Sequence, residues 1–224
     1  MKKYLLIAVA IVLALTSCKI IVLNLIGMKV PFRSYSDAKI TEFASELNIP
    51  ENQLYKLDTS ISELALKTID STIQKRKMER YTGPVQVRYY NASGELVSHL
   101  NIADLYPVPI EWERDSNFYT YPPKTLIKTD SLSLSFDVLN TYLKPINGVA
   151  DFKVDQEFAV VFWSRGFWKE SKRLTSLVQN NASENGPKNG LPIFYINTDD
   201  LVALGEVKTH FTVESNKSRA AKKE

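Results

Sequence analysis

Apolar and polar positions switch between two periods along this 224-residue chain, and the switches mark its elements. Ile40, Phe43, Ala44 and Leu47 recur at i, i+3, i+4 and i+7. That stripe predicts a helix capped by Ser34 or Ser36 and stopped by Asn48, Ile49 and Pro50. Residues 53–58 read as a short strand. Ser60 and Glu63 have capping-box spacing, which predicts a helix to about Glu79 with Leu66, Ile69 and Ile73 inward. Gly83 and Pro84 break that pattern. Residues 85–90 and 95–100 then flank Asn91–Gly94, a β-hairpin whose turn residues take positive φ at low cost. Residues 102–124 mix prolines with aromatics. They predict an ordered loop that packs Tyr106, Trp112, Phe118 and Tyr119 on the body; the alternative is a partner surface built on Trp112 with Glu111, Glu113 and Asp115. Residues 125–128 are a candidate strand. A helix from about Ser135 to Lys144, with Phe136, Leu139 and Leu143 inward, ends at Pro145.

The clearest pattern comes next. Phe158–Trp163 is apolar at every position, which predicts a strand buried on both faces. It runs into a helix over 168–180 that turns Ser171, Leu174, Leu177 and Val178 one way and Lys169, Lys172 and Arg173 toward water. A polar loop, 180–190, leads to a second buried strand at 191–197, parallel to the first because the helix carries the chain back. Thr198, Asp199 and Asp200 cap a short helix through Leu204, and Val207, Thr209, Phe211 and Val213 alternate as a last strand. The fold class is α/β.

This β-α-β segment resembles the thioredoxin family, and specifically the thioredoxin-like cell-envelope lipoproteins of Bacteroidetes-type bacteria. Val161–Trp163, the strand-to-helix junction and Tyr195–Asp199 carry the resemblance, over about residues 155–204. Gly83 and Pro84 ahead of the hairpin resemble the family's cis-proline and last two strands, placed here before the strand-helix unit. The resemblance implies a thioredoxin-like mixed sheet flanked by helices, with an N-terminal extension or permuted hairpin. Aligned without gaps, the family's two active-site cysteines fall at Phe167 and Glu170. Dithiol chemistry needs a low-pKa thiolate at the helix N-terminus and a resolving thiol one turn on. Neither is present, so thiol redox activity is excluded and no enzyme is expected.

The cysteine count narrows matters further. Cys18 is the single cysteine, so the chain forms no internal disulfide and no cysteine metal cluster, and its two histidines, His99 and His210, are far apart. No metal and no cofactor is expected. Cys18 closes Leu15–Cys18 after a positive start (Lys2, Lys3) and an apolar run from Leu5 to Leu15. This resembles a bacterial lipobox, implying fatty acylation of Cys18 (palmitate included) and a lipidated tether. The alternative is an uncleaved transmembrane anchor from Tyr4 to Ile26, with Lys19 near its middle. By the enterobacterial sorting pattern, Lys19 after the cysteine implies the outer membrane, facing the periplasm. The resulting division is a signal peptide at 1–17, a tether at 18–33, an α/β half with hairpin at 34–101, the Pro/aromatic loop at 102–124, the β-α-β half at 125–214 and a basic tail at 215–224.

The formal charge of +3 sits mostly outside the body: without residues 1–3 and 216–224, 22 basic side chains face 24 acidic ones. No nucleic-acid groove is expected. The basic helix end at Lys75–Lys77 and Arg80 reads as favourable charge at a helix C-terminus. What is left at the junction is a candidate binding site: Trp163, Arg165, Trp168 and Lys169 at the start of a helix, where amides and dipole favour anions and Arg beside Trp permits cation–π contact. The competing reading makes Trp163 core and the other three a surface fringe. Three functions follow: a binding or assembly component of the envelope with a protein partner, a hydrolase or transferase pairing Glu170, Asp199 or Asp200 with His99 or His210, or a structural subunit docked through loop 102–124.

Overall fold

The computed structural model describes residues 32–61, 83–101, 119–123, 135–147 and 155–204. The signal peptide and Cys18, the helix to Glu79, most of loop 102–124, the candidate strand at 125–128, the last strand with His210 and the basic tail lie outside them.

The strands are β1 (Leu54–Leu57), β2 (Gln86–Tyr90), β3 (Leu96–Asn101), β4 (Leu143–Pro145), β5 (Phe158–Trp163) and β6 (Ile193–Asn197). They form one mixed sheet in the order β3-β2-β5-β6-β1-β4. β1, β6 and β5 are mutually parallel in that order, while β2 is antiparallel to β5 and β3 antiparallel to β2. Both halves of the chain thus contribute to a single α/β sheet. The expected hairpin is there, beside β5, and Gly94 takes φ +77° at its turn. The Asn91 carboxamide oxygen fastens that turn, accepting from the Ser93 and Glu95 amides and the Ser93 hydroxyl.

β5 is buried at all six positions. Its side chains divide strictly by pleat. Ala159, Val161 and Trp163 join Ile40, Phe43, Leu174 and Val178 on one face. Phe158, Val160 and Phe162 join Tyr55, Tyr90, Phe136, Leu139 and Leu201 on the other. The first face is covered by α1 (Asp37–Ser45) and α3 (Trp168–Asn185) and the second by α2 (Phe136–Asn140), while α4 (Asp199–Ala203) gives Val202 to the first and Leu201 to the second.

Helix α1 ends as its sequence predicts. Asn48 sits at φ 55°, the Ile49 amide donates to Ala44 O and the Asn48 amide to Ser45 O. These two bonds are the Schellman pair that satisfies carbonyls at a helix end. Ser36 is the N-cap, through its carbonyl rather than its side chain.

Four expectations are corrected. The helix expected to reach Lys144 stops at Asn140, and Leu143–Pro145 is an edge strand on β1, where a proline nitrogen has no ladder bond to lose. Helix α3 runs to Asn185 instead of 180. Its extra turn is held by tertiary contact, for Asn181 is buried and donates to Thr120 O at 3.1 Å. Tyr119, expected on the body, is 68% exposed; Tyr121 is the ring that packs, edge-on to Tyr89 at 5.9 Å. The Gly83–Pro84 bond is trans, and among the described residues the cis bond is Tyr121–Pro122.

Candidate functional site

The C-terminal ends of parallel strands are where α/β sheets place ligand sites, because the chain turns away there and leaves backbone groups to be satisfied. Here β5 ends at Trp163 and β6 at Asn197, adjacent in register. Ser164 follows β5 and caps a 3-10 turn, Arg165–Phe167, before α3 begins at Trp168. Asp199 follows β6 and opens α4.

These two chain turns are locked together. The Ser164 hydroxyl donates to Asp199 Oδ1 at 2.6 Å and accepts from the Gly166 amide at 3.0 Å, an amide that also reaches Asp199 Oδ1 at 3.2 Å. Asn197 Nδ2 donates to Asp199 Oδ2 at 2.8 Å. Ser171, one turn into α3, accepts from the Ser164 amide and donates to its carbonyl. Thr198 Oγ1 is shared between Pro84 O at 2.9 Å and Trp163 O at 3.1 Å. Ser164, Ser171, Asn197, Thr198 and Asp199 are all buried. Both carboxylate oxygens of Asp199 are occupied by donors. The arrangement therefore holds the junction in shape. The sequence marks Asp199 only as a helix cap and an acid, and the one available signal for the clamp is the pairing of Ser164 with Asn197, Thr198 and Asp199 at the ends of adjacent apolar strands.

The four junction residues separate. Trp163 is fully buried core. Arg165 lies between two rings, its guanidinium carbon 4.3 Å from the Phe43 centroid and 3.9 Å from that of Trp168, with Glu46 at 3.5 Å. Desolvated between aromatics, such a cation gains more from the ring quadrupoles than an exposed one does. Trp168 is half-buried and Lys169 exposed. Arg165 and Trp168 thus form one stack with α1, while Trp163 sits beneath it and Lys169 beside it. Phe167 is buried, and Glu170 is paired with Arg173 at 3.4 Å.

The chain preceding α1 completes this surface. Phe32 stacks on Phe167, with centroids 5.4 Å apart and 17° between planes. Tyr35 meets Phe43 edge-on at 5.1 Å, and the Arg33 guanidinium sits over Tyr35. The end of the expected tether is thereby laid across the strand-helix junction. Its sequence carries no periodic signal that announces this.

Of the two histidines in the hydrolase reading, His99 lies among the described residues and His210 does not. His99 is on the sheet face opposite α3 and Glu170, and its Nε2 lies 2.8 Å from Gln86 Oε1. Arg88 Nε donates to the same oxygen at 3.1 Å. Asp200 pairs with Lys56 at 3.4 Å. Burial, followed by the nearby Arg88 charge, lowers the His99 pKa to about 3. His99 is therefore neutral when folded, whereas the unfolded chain takes up a proton below about pH 6.5. Its effect on stability is nil above that pH and grows more unfavourable as pH falls toward 3. Urea denaturation at pH 5.5 should show the wild type about 1 kcal/mol less stable, relative to its own value at pH 7.5, than His99→Gln shows relative to its own.

Among the described residues, no group of histidine, cysteine and acids could hold a metal ion, and no helix is long and apolar enough to cross a membrane. Comparison of the chain with family models, with curated proteins and with solved structures returns no match.

Proposed function

We propose that the chain is a lipid-anchored, redox-inactive, thioredoxin-like protein of the cell envelope, held at the outer membrane through Cys18 and acting as a binding or assembly component rather than an enzyme. The junction carries this reading. A doubly buried parallel strand runs into the longest described helix, and the positions that hold thiols in the family it resembles are Phe167 and Glu170. One is covered by Phe32 and the other is paired with Arg173. The sheet supports the thioredoxin-like part: three parallel strands, then an antiparallel hairpin drawn from earlier in the chain, with β4 added at the far edge. Pro84 departs from the family's cis-proline, yet its carbonyl is tied to that of Trp163 through Thr198.

Cys18→Ser is expected to abolish palmitate incorporation and release most of the protein from the membrane fraction. Globomycin should make the unprocessed wild-type chain accumulate. A wild-type protein that stays in the membrane unlabelled, with processing indifferent to the inhibitor, would end the lipid-anchor part. Measurable reduction of insulin disulfides by the purified chain would end the redox-inactive part.

A further inference from the structure

We infer that the surface over Gly166 and Phe167 is a slot for an extended segment bearing an aromatic ring, and that residues 32–35 of this chain fill it in cis, so that the tether gates access for a partner segment of the same chemistry. The inference deepens the binding role proposed above and rests on it for the existence of a partner.

The slot is shaped for a ring. Phe167 supplies a face on which Phe32 lies nearly parallel. Gly166 supplies the room: a Cβ there would stand 2.7 Å from Phe32 Cδ1 and 3.0 Å from Cε1, closer than carbon atoms approach. The walls do not depend on the occupant. Phe167 and Trp168 are set by the 3-10 turn and the first residue of α3, which the Ser164–Asp199 clamp holds from below. Phe43 is set by α1, and Arg165 bridges Phe43 to Trp168. A pocket whose lining is fixed by other contacts keeps its form when emptied, the condition for low-cost rebinding.

The occupant, in contrast, is lightly held. Residues 32–36 carry no helix or strand, and among the described residues none hydrogen-bonds to Phe32, Arg33, Ser34 or Tyr35. The segment is fastened by rings: Phe32 on Phe167 and Tyr35 on Phe43. Such contacts add only modestly to what their buried area contributes. Connection to α1 supplies the rest, since a short linker presents the segment at an effective concentration in the millimolar range. An incoming segment must compete with that. Pull on the tether, or removal of its ring, is what would clear the slot.

The probe is a fluorescein-labelled peptide spanning residues 29–36 of this chain, added to the full-length protein and followed by anisotropy. Phe32→Ala empties the slot at a peripheral, half-buried position, and its circular dichroism and melting curve report that it is folded. The folded variant is expected to bind the peptide at least about tenfold more tightly than the wild type, whose slot is filled in cis. A peptide with the phenylalanine replaced by alanine should lose that gain. Adding Gly166→Ala to Phe32→Ala should lose it too, because the new methyl takes the ring's space. Equal affinity for the wild type and the folded Phe32→Ala protein overturns the inference, and so does equal binding of the alanine peptide. Both peptide measurements stand whether or not the double variant folds. Neither depends on acylation, so an unlabelled Cys18 with intact peptide binding removes the anchor and leaves the slot, and the reverse result removes the slot alone.

Discussion

Asp199→Ala is expected to lower the free energy of unfolding by about 3–5 kcal/mol, the larger end of what a single buried polar deletion costs. One carboxylate takes hydrogen bonds from the Ser164 hydroxyl, the Gly166 amide and the Asn197 carboxamide. Alanine leaves three donors in a site closed to water, and each buried unsatisfied donor costs about 1–3 kcal/mol. Ser164 can still accept from Gly166, which keeps the total below the sum of the maxima. Asp199→Asn should fall between the two. Its amide oxygen can serve Ser164 and Gly166, but its NH2 then faces the Asn197 NH2. The check is a thermal melt at neutral pH, where a loss of this size in a chain of this length lowers the midpoint by about 10 °C. A shift under about 2 °C would show that the clamp does not hold the junction together.

The second large effect belongs to Phe158. Its ring is fully buried and meets three others: Tyr90 stacked at 5.1 Å, Phe136 edge-on at 4.6 Å and Phe194 edge-on at 5.8 Å. Phe158→Ala removes the ring from the hub of the second core face. It should cost about 4 kcal/mol, as a transfer term plus a cavity that the surrounding aromatics cannot close by small shifts. Phe158→Leu keeps most of the volume and should cost only about 1–2 kcal/mol. The comparison matters because Phe158 starts the central strand, and β2, β5 and β6 meet there through Tyr90 and Phe194. Chemical denaturation of the two variants beside the wild type decides it. A Phe158→Ala loss no larger than that of Phe158→Leu would mean that the ring contacts contribute little.

How far these features could be read from sequence follows from the range over which each is encoded. The stripe of Ile40, Phe43, Ala44 and Leu47, with Asn48 behind it, is a local signal, and α1 forms as that signal says. So does the hairpin, whose turn is written in Asn91–Gly94. Phe158–Trp163 declares burial on both faces, but an unbroken apolar run cannot say which side chain goes to which face. Trp163 therefore reads either as a binding candidate or as core, and it is core. Strand β4 is three residues long and exists because β1 offers an open edge at Leu54–Leu57, a fact about the partner and not about Leu143–Pro145. The Ser164–Asp199 bond joins residues 35 apart, and the Phe32–Phe167 stack joins residues further apart still. Neither leaves a periodic trace. Of the candidate site, the residue types were legible; their grouping into a buried clamp and a ring-lined cover was not.

The strand order sets a timetable for synthesis. β2 and β3 can pair with each other as soon as both have emerged, because a hairpin closes locally. β1 has no such neighbour: its partners are β4, nearly ninety residues on, and β6, nearly one hundred and forty residues on. The two groups have no strand in common until Phe158–Trp163 arrives between them with Ile193–Asn197. A growing chain thus carries disconnected fragments through about its first two-thirds and closes its sheet only near the end. Contacts this distant slow folding. The two strands that join the groups, β5 and β6, are thus the last of the described strands to be made, and until they arrive the earlier ones have open edges.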